Sequence, residues 1–189
     1  MIDSLIEKDI ELFLYLNNLG TTQWDSFWLI LTNKFSAIPL YFLLLYVTYK
    51  KFGIRKTIIL LAFIAVLILV SDQTSNLFKN GFKRLRPCHN DEITNLCRLV
   101  SNRCGGLYSY FSAHASNSMA IAVFYSVALN FKSKISVFLL LFWAILVAYS
   151  RIYVGVHFPL DIITGMFFGI LYGFCFAKLF KFGVNRFKF

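Results

Sequence analysis

Long apolar stretches separated by short charged segments dominate the chain. None of these stretches alternates apolar and polar residues as a barrel strand does. Backbone N–H and C=O groups in lipid must be hydrogen-bonded within their own segment, so the pattern predicts a bundle of membrane-spanning helices. Some stretches are shorter than the ~20 residues that cross a bilayer, and flanking residues must complete them. The five convincing stretches are 35–49, 57–71, 113–131, 135–150 and 158–177.

The first part of the chain gives two weaker signals. Over residues 1–20, apolar residues are interleaved with charged ones at a helical period, which predicts an amphipathic helix. This helix suits the membrane interface, and an ordinary cap packed on the bundle would show the same pattern. Residues 24–31 form a short apolar piece that suits a tilted or re-entrant helix. We therefore expect one all-α domain over residues 1–189, a polytopic bundle of five to six transmembrane helices with an amphipathic N-terminal helix.

Composition also indicates a lipid environment. The chain is 58% hydrophobic and 15% charged, whereas an average soluble domain is roughly 25% charged. Its net charge of +10 would by itself suit nucleic acid, anionic lipid or an anionic substrate. In a membrane protein we expect lipid partners and no nucleic acid. The acidic residues Asp3, Glu7 and Asp9 are not typical of a signal peptide, and we expect no cleavable signal.

The distribution of positive charge predicts an orientation in the membrane. Ten basic residues and no acidic one are expected on one side of the bundle. On the other side lie the polar segment 79–112 and the turn near Arg151, where acidic residues accompany the basic ones. The positive-inside rule makes the first side cytoplasmic and segment 79–112 an extracytoplasmic active-site loop. The ten residues are Lys50, Lys51, Arg55, Lys56, Lys132, Lys134, Lys178, Lys181, Arg186 and Lys188.

Three of the four cysteines lie in this outward segment. Cys88, Cys97 and Cys104 would meet an oxidising compartment there, whereas Cys175 lies within a predicted helix. Their spacing does not decide the pairing; we choose a disulfide between Cys88 and Cys104. A zinc site is not favoured, because the cysteines have no C-x-x-C spacing and no paired histidines follow.

Residues 150–161 hold the strongest candidate chemistry. If the last helix begins near Phe158, His157 and Asp161 are four residues apart and meet on one side. A carboxylate that accepts the Nδ1–H of histidine leaves Nε2 as a nucleophile and stabilises the cation formed on attack. Arg151 offers a planar fork for phosphate oxygens. The pair could instead be a structural link between two helices, but ionisable residues within membrane proteins are typically functional.

Two further clusters are predicted on the same side. Ser112 is a good N-cap, so the helix that follows presents free N–H groups to an anion. In its first turn, His114 is placed to act as a general acid. Lys79 and Arg86 add positive charge, although a lone lysine at a helix end is commonly a snorkelling anchor. Convergence of the clusters predicts a site for phosphoryl transfer, in which positioning and charge stabilisation supply most of the catalysis.

Other polar and small residues receive simpler interpretations. Lys83, Arg84 and His89 have no regularly spaced partner, and we expect them on the loop surface. A small-x-x-x-small stripe on the last helix predicts close helix packing. A second copy of the chain is possible as its partner, but we favour a helix of the same chain. The stripe consists of Gly165, Gly169 and Gly173.

Together, the three clusters resemble the signature of the type-2 phosphatidic acid phosphatase superfamily, which includes the vanadate haloperoxidases. That signature reads K-x6-R-P, P-S-G-H and S-R-x5-H-x3-D. This chain departs from it at Phe111 and Ala113, which replace Pro and Gly of the second motif. The cysteines and Cys104-Gly105-Gly106-x-Tyr108 are most similar to bacterial members. The matching residues are Lys79, Arg86, Pro87, Ser112, His114, Ser150, Arg151, His157 and Asp161.

The resemblance implies a two-step hydrolysis of a lipid phosphate without a metal or cofactor. His157 would form a phosphohistidine while Asp161 holds its ring. His114 would protonate the leaving oxygen and later activate water. The substrate phosphate would be bound by Lys79, Arg86, Ser112 and Arg151.

The resemblance also implies a location and a set of substrates. We expect a bacterial inner membrane with the site facing the periplasm or exterior. Family substrates include undecaprenyl diphosphate, phosphatidic acid, phosphatidylglycerol phosphate and lipid A phosphates; we favour polyprenyl diphosphate or lipid A. A non-catalytic transporter or lipid-binding scaffold, and a haloperoxidase-like oxidation with bound vanadate, are the alternatives.

Overall fold

The computed structural model describes residues 2–101, 103–131 and 133–186, and over these residues the chain folds into α-helices without a named strand. The expected all-α fold is therefore confirmed. A single 3-10 turn, Pro87–His89, lies in the long loop. The helices are α1 (Ile2–Asn18), α2 (Thr22–Thr32), α3 (Ile38–Phe82), α4 (Ala113–Ala128), α5 (Lys134–Tyr153) and α6 (Pro159–Arg186).

Helix α3 contains the first convincing stretch from residue 38 onward and the whole of the second, and Gly53 divides it into two arms. Gly53 has φ 75° and ψ 176°, a conformation open to glycine but strained for other residues. Both arms line one cavity, with Leu45 before Gly53 and Leu61 after it. The second arm continues to Phe82. The long loop therefore begins four residues later than segment 79–112 implied, and Lys79 belongs to the last turn of a helix.

The short helix α2 does not cross a bilayer by itself. Its 11 residues extend about 16 Å at 1.5 Å per residue, against a hydrocarbon thickness of about 30 Å. Within the described residues, α3, α5 and α6 are long and apolar enough to span a membrane. Helix α4 has 16 residues, of which ten are buried, and it forms the centre of the bundle.

Helices α4 and α6 approach each other along the glycine stripe. A Cβ atom at Gly169 would lie 2.5 Å from the Ser116 carbonyl oxygen, and one at Gly165 would lie 2.6 Å from that of Ser112. Gly173 follows the same pattern one turn further on. The expected packing partner within the chain is confirmed, and this contact brings the first turn of α4 beside that of α6.

Helix α1 is attached to the bundle by its inner face. Phe13 and Asn17 are fully buried. The Asn17 side-chain amide donates to the carbonyl oxygens of Ile152 and Tyr153, both at 3.0 Å, and its oxygen accepts from the backbone N–H of Arg98 at 2.6 Å. The outer face of α1 still exposes large apolar residues, namely Leu5, Ile6, Leu12 and Tyr15.

Four of the basic residues counted for orientation, Lys50, Lys51, Arg55 and Lys56, flank Gly53, at the end of the bundle opposite the predicted clusters. Lys51 donates to the carbonyl oxygen of Leu129, just beyond the end of α4. Nearby, Phe52 contacts Phe180 near the end of α6. Gly53 and the ends of α4 and α6 therefore lie together. Two residues of that count, Lys132 and Lys188, lie outside the described residues.

Replacing Gly169 with alanine should destabilise the protein. The new Cβ would clash with the backbone carbonyl of Ser116, which cannot move without shifting α4, and overpacking of this kind costs about 1–3 kcal/mol. Gly183→Ala is the matched control on the same helix, because nothing lies within 4 Å of its added Cβ. Thermal unfolding in detergent should show a lower midpoint for Gly169→Ala alone; equal midpoints would contradict the close contact.

Candidate active site

His157 and Asp161 meet where the turn after α5 enters α6. The Nδ1 atom of His157 lies 3.2 Å from Oδ2 of Asp161. The same oxygen accepts the backbone N–H of Phe158 at 2.9 Å. His157 is 2% exposed and Asp161 is fully buried. This geometry suits a histidine whose Nδ1–H is held by a carboxylate, which leaves Nε2 free to react.

The turn that presents His157 requires a glycine. Gly155 has φ 83°, and a Cβ there would lie 2.5 Å from the carbonyl oxygen of Arg98. Another residue at this position would be strained by the backbone and blocked by the loop. The sequence motif S-R-x5-H contains this glycine within its unspecified positions, so motif spacing alone did not identify it.

Burial and three cations hold the pKa of His157 well below its ordinary value. Burial has the largest effect, and the charges of Arg151, Arg86 and Lys79 lower the pKa further. The imidazole is therefore neutral near pH 7, as a nucleophile must be. The three cations come from three segments of the chain: Lys79 from α3, Arg86 from the long loop and Arg151 from α5.

The two arginines are held by partners that leave part of each guanidinium available. Arg86 donates from Nη1 to the carbonyl oxygen of Cys104 at 2.8 Å and from Nε to that of Tyr108 at 3.3 Å. Arg151 donates to the hydroxyl of Thr32. The buried Nε of Arg151 has no hydrogen-bond partner among the described residues. Such donors suit the oxygens of a bound phosphate.

Ser112 joins the first turn of α4 to the first turn of α6. Its hydroxyl accepts the N–H of Ala115 at 3.5 Å, as expected of an N-cap. Its own backbone N–H donates to the main-chain oxygen of Asp161 at 3.1 Å. His114 follows in the first turn of α4 and lines the adjoining cavity. The free N–H groups of this helix end thus lie close to the His157–Asp161 pair.

Packing explains why Phe111 stands where the family signature has proline. Phe111 is fully buried, stacks on Phe168 with ring centroids 4.9 Å apart, and meets Phe78 edge-on at 5.2 Å. Its carbonyl oxygen accepts the hydroxyl of Ser75 at 2.9 Å. Residue 111 is therefore a hydrophobic anchor that joins α3 and α6 just before the N-cap. At Ala113 the helix begins normally.

A large apolar cavity opens beside His114. Its volume is about 810 Å³, and it extends between α3, α4 and α5 from the site towards the middle of the bundle. Polar residues, including Asp72 and Asn117, lie near His114, whereas aromatic and aliphatic residues line the rest. The apolar part includes Tyr41, Phe42, Leu45, Leu61, Ile64 and Trp143.

The long loop is closed by a disulfide between Cys88 and Cys104, whose Cα atoms are 6.0 Å apart. Cys97 is a free, half-buried thiol, and Cys175 is free and exposed. Because the carbonyl of Cys104 accepts from Arg86, the disulfide lies next to a residue of the site. The covalent bridge thereby limits the positions open to the Arg86 guanidinium.

Arg84 was expected on the loop surface, and the structure shows that this expectation is wrong. Its guanidinium contacts Asp161 at 3.1 Å and Asp9 at 2.6 Å. Its side chain is 20% exposed. Lys83, by contrast, is exposed as expected, and His89 is half-buried. No local sequence pattern predicts the contacts of Arg84, because its two partners are 75 and 77 residues away in the sequence.

The fold and the site define a helical membrane protein with a buried His–Asp pair among cations, an arrangement that suits phosphoryl transfer. The family profile described as "PAP2 superfamily" matches residues 55–183. The chain belongs to the PAP2 superfamily and is a membrane phosphatase of that superfamily.

Individual relatives agree with this placement. A lipid A 4'-phosphatase of Bacteroides thetaiotaomicron is 34% identical over 93% of this chain and 78% of its own length. One of Porphyromonas gingivalis is 28% identical over 98% and 78%. The crystal structure of Aquifex aeolicus LpxE superposes with a TM-score of 0.69 at 26% identity, covering 89% of this chain and 94% of that one. The Bacillus subtilis phosphatidylglycerolphosphate phosphatase shares the fold at 20% identity, with a TM-score of 0.70 over 97% and 89% of the two chains.

The ring of His157 should stay neutral in mildly acidic solution. At pH 6, about three quarters of a histidine with the ordinary pKa of about 6.5 would be charged, whereas the lowered pKa keeps His157 neutral. The chain has three histidines, so nitrogen NMR of the labelled protein in detergent can follow each ring. Arg86→Gln removes a neighbouring cation and should raise the pKa of His157. A wild-type titration midpoint at or above 6.5 would contradict the described environment.

Proposed function

We propose that this protein removes the 4'-phosphate of lipid A through a phosphohistidine at His157. The observation that carries the proposal is the buried His157–Asp161 pair, which faces the positive charges of Arg151, Arg86 and Lys79. Two relatives named lipid A 4'-phosphatase support the choice of lipid. The first of them is 34% identical over 93% of the chain, which makes it a better guide to substrate than likeness of fold alone.

In the first step, Nε2 of His157 attacks phosphorus and the bond from phosphorus to the sugar oxygen breaks. Asp161 holds Nδ1–H and stabilises the positive charge that forms on the ring. His114, which takes up a proton when the negatively charged phosphate lies beside it, gives that proton to the departing oxygen, a role typically worth about 10²–10⁴-fold in rate. Dephosphorylated lipid leaves, and the phosphoryl group stays on His157.

In the second step, water attacks the phosphohistidine. His114, now without that proton, accepts one from the water, and inorganic phosphate leaves as Nε2 regains its lone pair. The phosphate oxygens are held by Lys79, Arg86 and Arg151 and by the N–H groups after Ser112. These groups stabilise negative charge on the transferring phosphoryl group, so the proposed chemistry needs no metal ion.

The cavity supports a lipid substrate over a water-soluble one. It begins beside His114 and continues between helices as an apolar space of about 810 Å³. An acyl chain placed there would remain in apolar surroundings while its phosphate reached His157. In this proposal the site faces the periplasm of a bacterial inner membrane, because the basic residues that flank Gly53 lie at the opposite end of the bundle.

One assay tests the reaction and the substrate together. Purified protein in detergent with EDTA is offered bisphosphorylated lipid A, undecaprenyl diphosphate, phosphatidic acid and phosphatidylglycerol phosphate. We expect phosphate release from lipid A, with mass spectrometry of the product placing the loss at the 4' position. His157→Ala should lower the rate by at least about 10³-fold, since the attacking atom is lost. His89→Ala, a change at a histidine outside the site, should leave the rate unaltered.

Each contrary result removes a different part of the proposal. Release by His157→Ala would contradict the nucleophile, and a requirement for added metal would contradict the metal-independent mechanism. Hydrolysis of only undecaprenyl diphosphate or a glycerophospholipid would contradict lipid A as substrate. Absence of any hydrolysis, with lipid still bound, would favour a lipid-binding protein.

Filling the cavity should affect lipid substrates selectively. Ile64→Trp enlarges a side chain that lines the cavity, so KM for lipid A should rise, by about tenfold for each 1.4 kcal/mol of lost binding. Hydrolysis of p-nitrophenyl phosphate, which has no acyl chain, should stay unchanged. Ile58→Trp is the matched control, because Ile58 lies on the same helix and is 59% exposed. Equal KM values for Ile64→Trp and wild type would exclude this cavity as the acyl site.

A further inference from the structure

Arg84 lies between two carboxylates that come from opposite ends of the chain. Its Nη2 atom is 2.6 Å from Oδ2 of Asp9, and its Nη1 atom is 3.1 Å from Oδ1 of Asp161. The guanidinium also lies over the ring of Phe158, 3.9 Å from its centroid. With both terminal nitrogens bonded and one face covered, this arginine is held in one orientation and is poorly placed to bind a substrate phosphate.

The contact completes the hydrogen bonding of Asp161. Oδ2 of this carboxylate accepts from Phe158 N–H and faces Nδ1 of His157, at 2.9 and 3.2 Å. Oδ1 accepts from Arg84. A fully buried carboxylate is costly unless it is paired and hydrogen-bonded. Arg84 supplies the compensating charge on the side away from His157, and it prevents rotation that would turn Oδ2 away from the ring.

Asp9 holds the Arg84 guanidinium on the side away from Asp161. Its Oδ2 holds Arg84, and its Oδ1 accepts the backbone N–H of Leu160 at 2.9 Å. Leu160 lies in the first turn of α6, where backbone N–H groups have no partner within the helix. A single side chain of α1 therefore orients both Arg84 and the helix start that carries Asp161.

We infer that Arg84 and Asp9 are positioning residues for catalysis, and that helix α1 is thereby a required part of the active site. The hydrogen-bonded series from Asp9 through Arg84 to Asp161 keeps the ring of His157 aimed at phosphorus. This inference rests on the proposed role of His157 as nucleophile. A residue of this kind acts on the rate of the chemical step and leaves substrate binding nearly unchanged.

The test measures kcat and KM of the full-length protein in detergent, with bisphosphorylated lipid A and with p-nitrophenyl phosphate. Arg84→Met, which keeps the length of the side chain, should lower kcat roughly 10- to 100-fold, as loss of an orienting partner typically does. KM should change less than about twofold. Arg84→Lys should restore part of kcat, because its ammonium can still pair with a carboxylate. Asp9→Asn should lower kcat by less, because its amide oxygen can still accept from Leu160.

Arg98→Met is the matched control. Arg98 is another loop arginine paired with a carboxylate, Asp25, at 2.6 Å, and its guanidinium lies 5.5 Å from the centroid of the Tyr153 ring. The backbone of Arg98 packs on the turn before His157, but its side chain pairs with Asp25 and contacts neither His157 nor Asp161. If Arg84 only stabilises the fold, Arg84→Met and Arg98→Met should lower the thermal midpoint with no selective loss of kcat in Arg84→Met, and this result would overturn the inference.

A spectroscopic readout separates positioning from stability. Nitrogen NMR should show the proton of neutral His157 on Nδ1 in the wild type and divided between the two nitrogens in Arg84→Met. An unchanged tautomer with a wild-type kcat would overturn the inference. If Arg84→Met shows no cooperative unfolding, that variant is not properly folded and the test uses Asp9→Asn instead. A wild-type kcat in Asp9→Asn would then reject the inference.

His157→Ala, assayed in parallel, keeps this test distinct from that of the proposed function. If His157→Ala is inactive while Arg84→Met has a normal kcat, only the positioning role fails. If His157→Ala keeps its activity, the nucleophile itself has been assigned incorrectly. The soluble substrate separates both results from the choice of lipid A.

Discussion

The buried carboxylate of Asp161 is the constraint on which the arrangement of the site depends. It is fully buried at the start of a membrane helix, where a charge without partners is costly. Its side chain and main chain bond to residues from three other segments: His157 in the turn, Arg84 in the long loop and Ser112 at the start of α4. Because the hydrogen bonds of Asp161 need partners from these segments, this one residue brings together most of the chain segments that form the site.

Close packing of α4 on α6 makes these bonds possible. The glycine stripe lets the backbone of α6 approach the carbonyl oxygens of α4, and the contact begins at Ser112 and Gly165. A larger residue in the stripe would separate the two helix starts, and the bond from Ser112 to Asp161 would lengthen first. The hydrophobic packing in the middle of the bundle therefore sets distances among polar groups at its end.

Local patterns predicted the parts of the structure that depend on neighbouring residues. The apolar stretches gave the helices, and the four-residue spacing placed His157 against Asp161 because such residues share a helix face. Long-range contacts were not accessible in this way. Nothing near Arg84 or Asp9 identifies their pairing, and nothing near Asn17 shows that it binds the end of α5, 135 residues away. The sequence also did not show that α3 runs to Phe82, because a lysine such as Lys79 suits both a loop and the last turn of a helix.

The arginines and lysine near the site differ in how their charge is balanced. Arg84 and Arg98 each pair with carboxylates. Among the residues that the structure describes, Lys79, Arg86 and Arg151 form no ion pair with a carboxylate, although their charges act together on His157. Like charges without a directly paired carboxylate in a partly buried space disfavour the empty site. A phosphate group would bring the missing negative charge, so the same repulsion that strains the empty site favours its occupation. The arginines that are paired with carboxylates hold the scaffold, and in the proposed function the three cations without an ion pair bind the substrate phosphate.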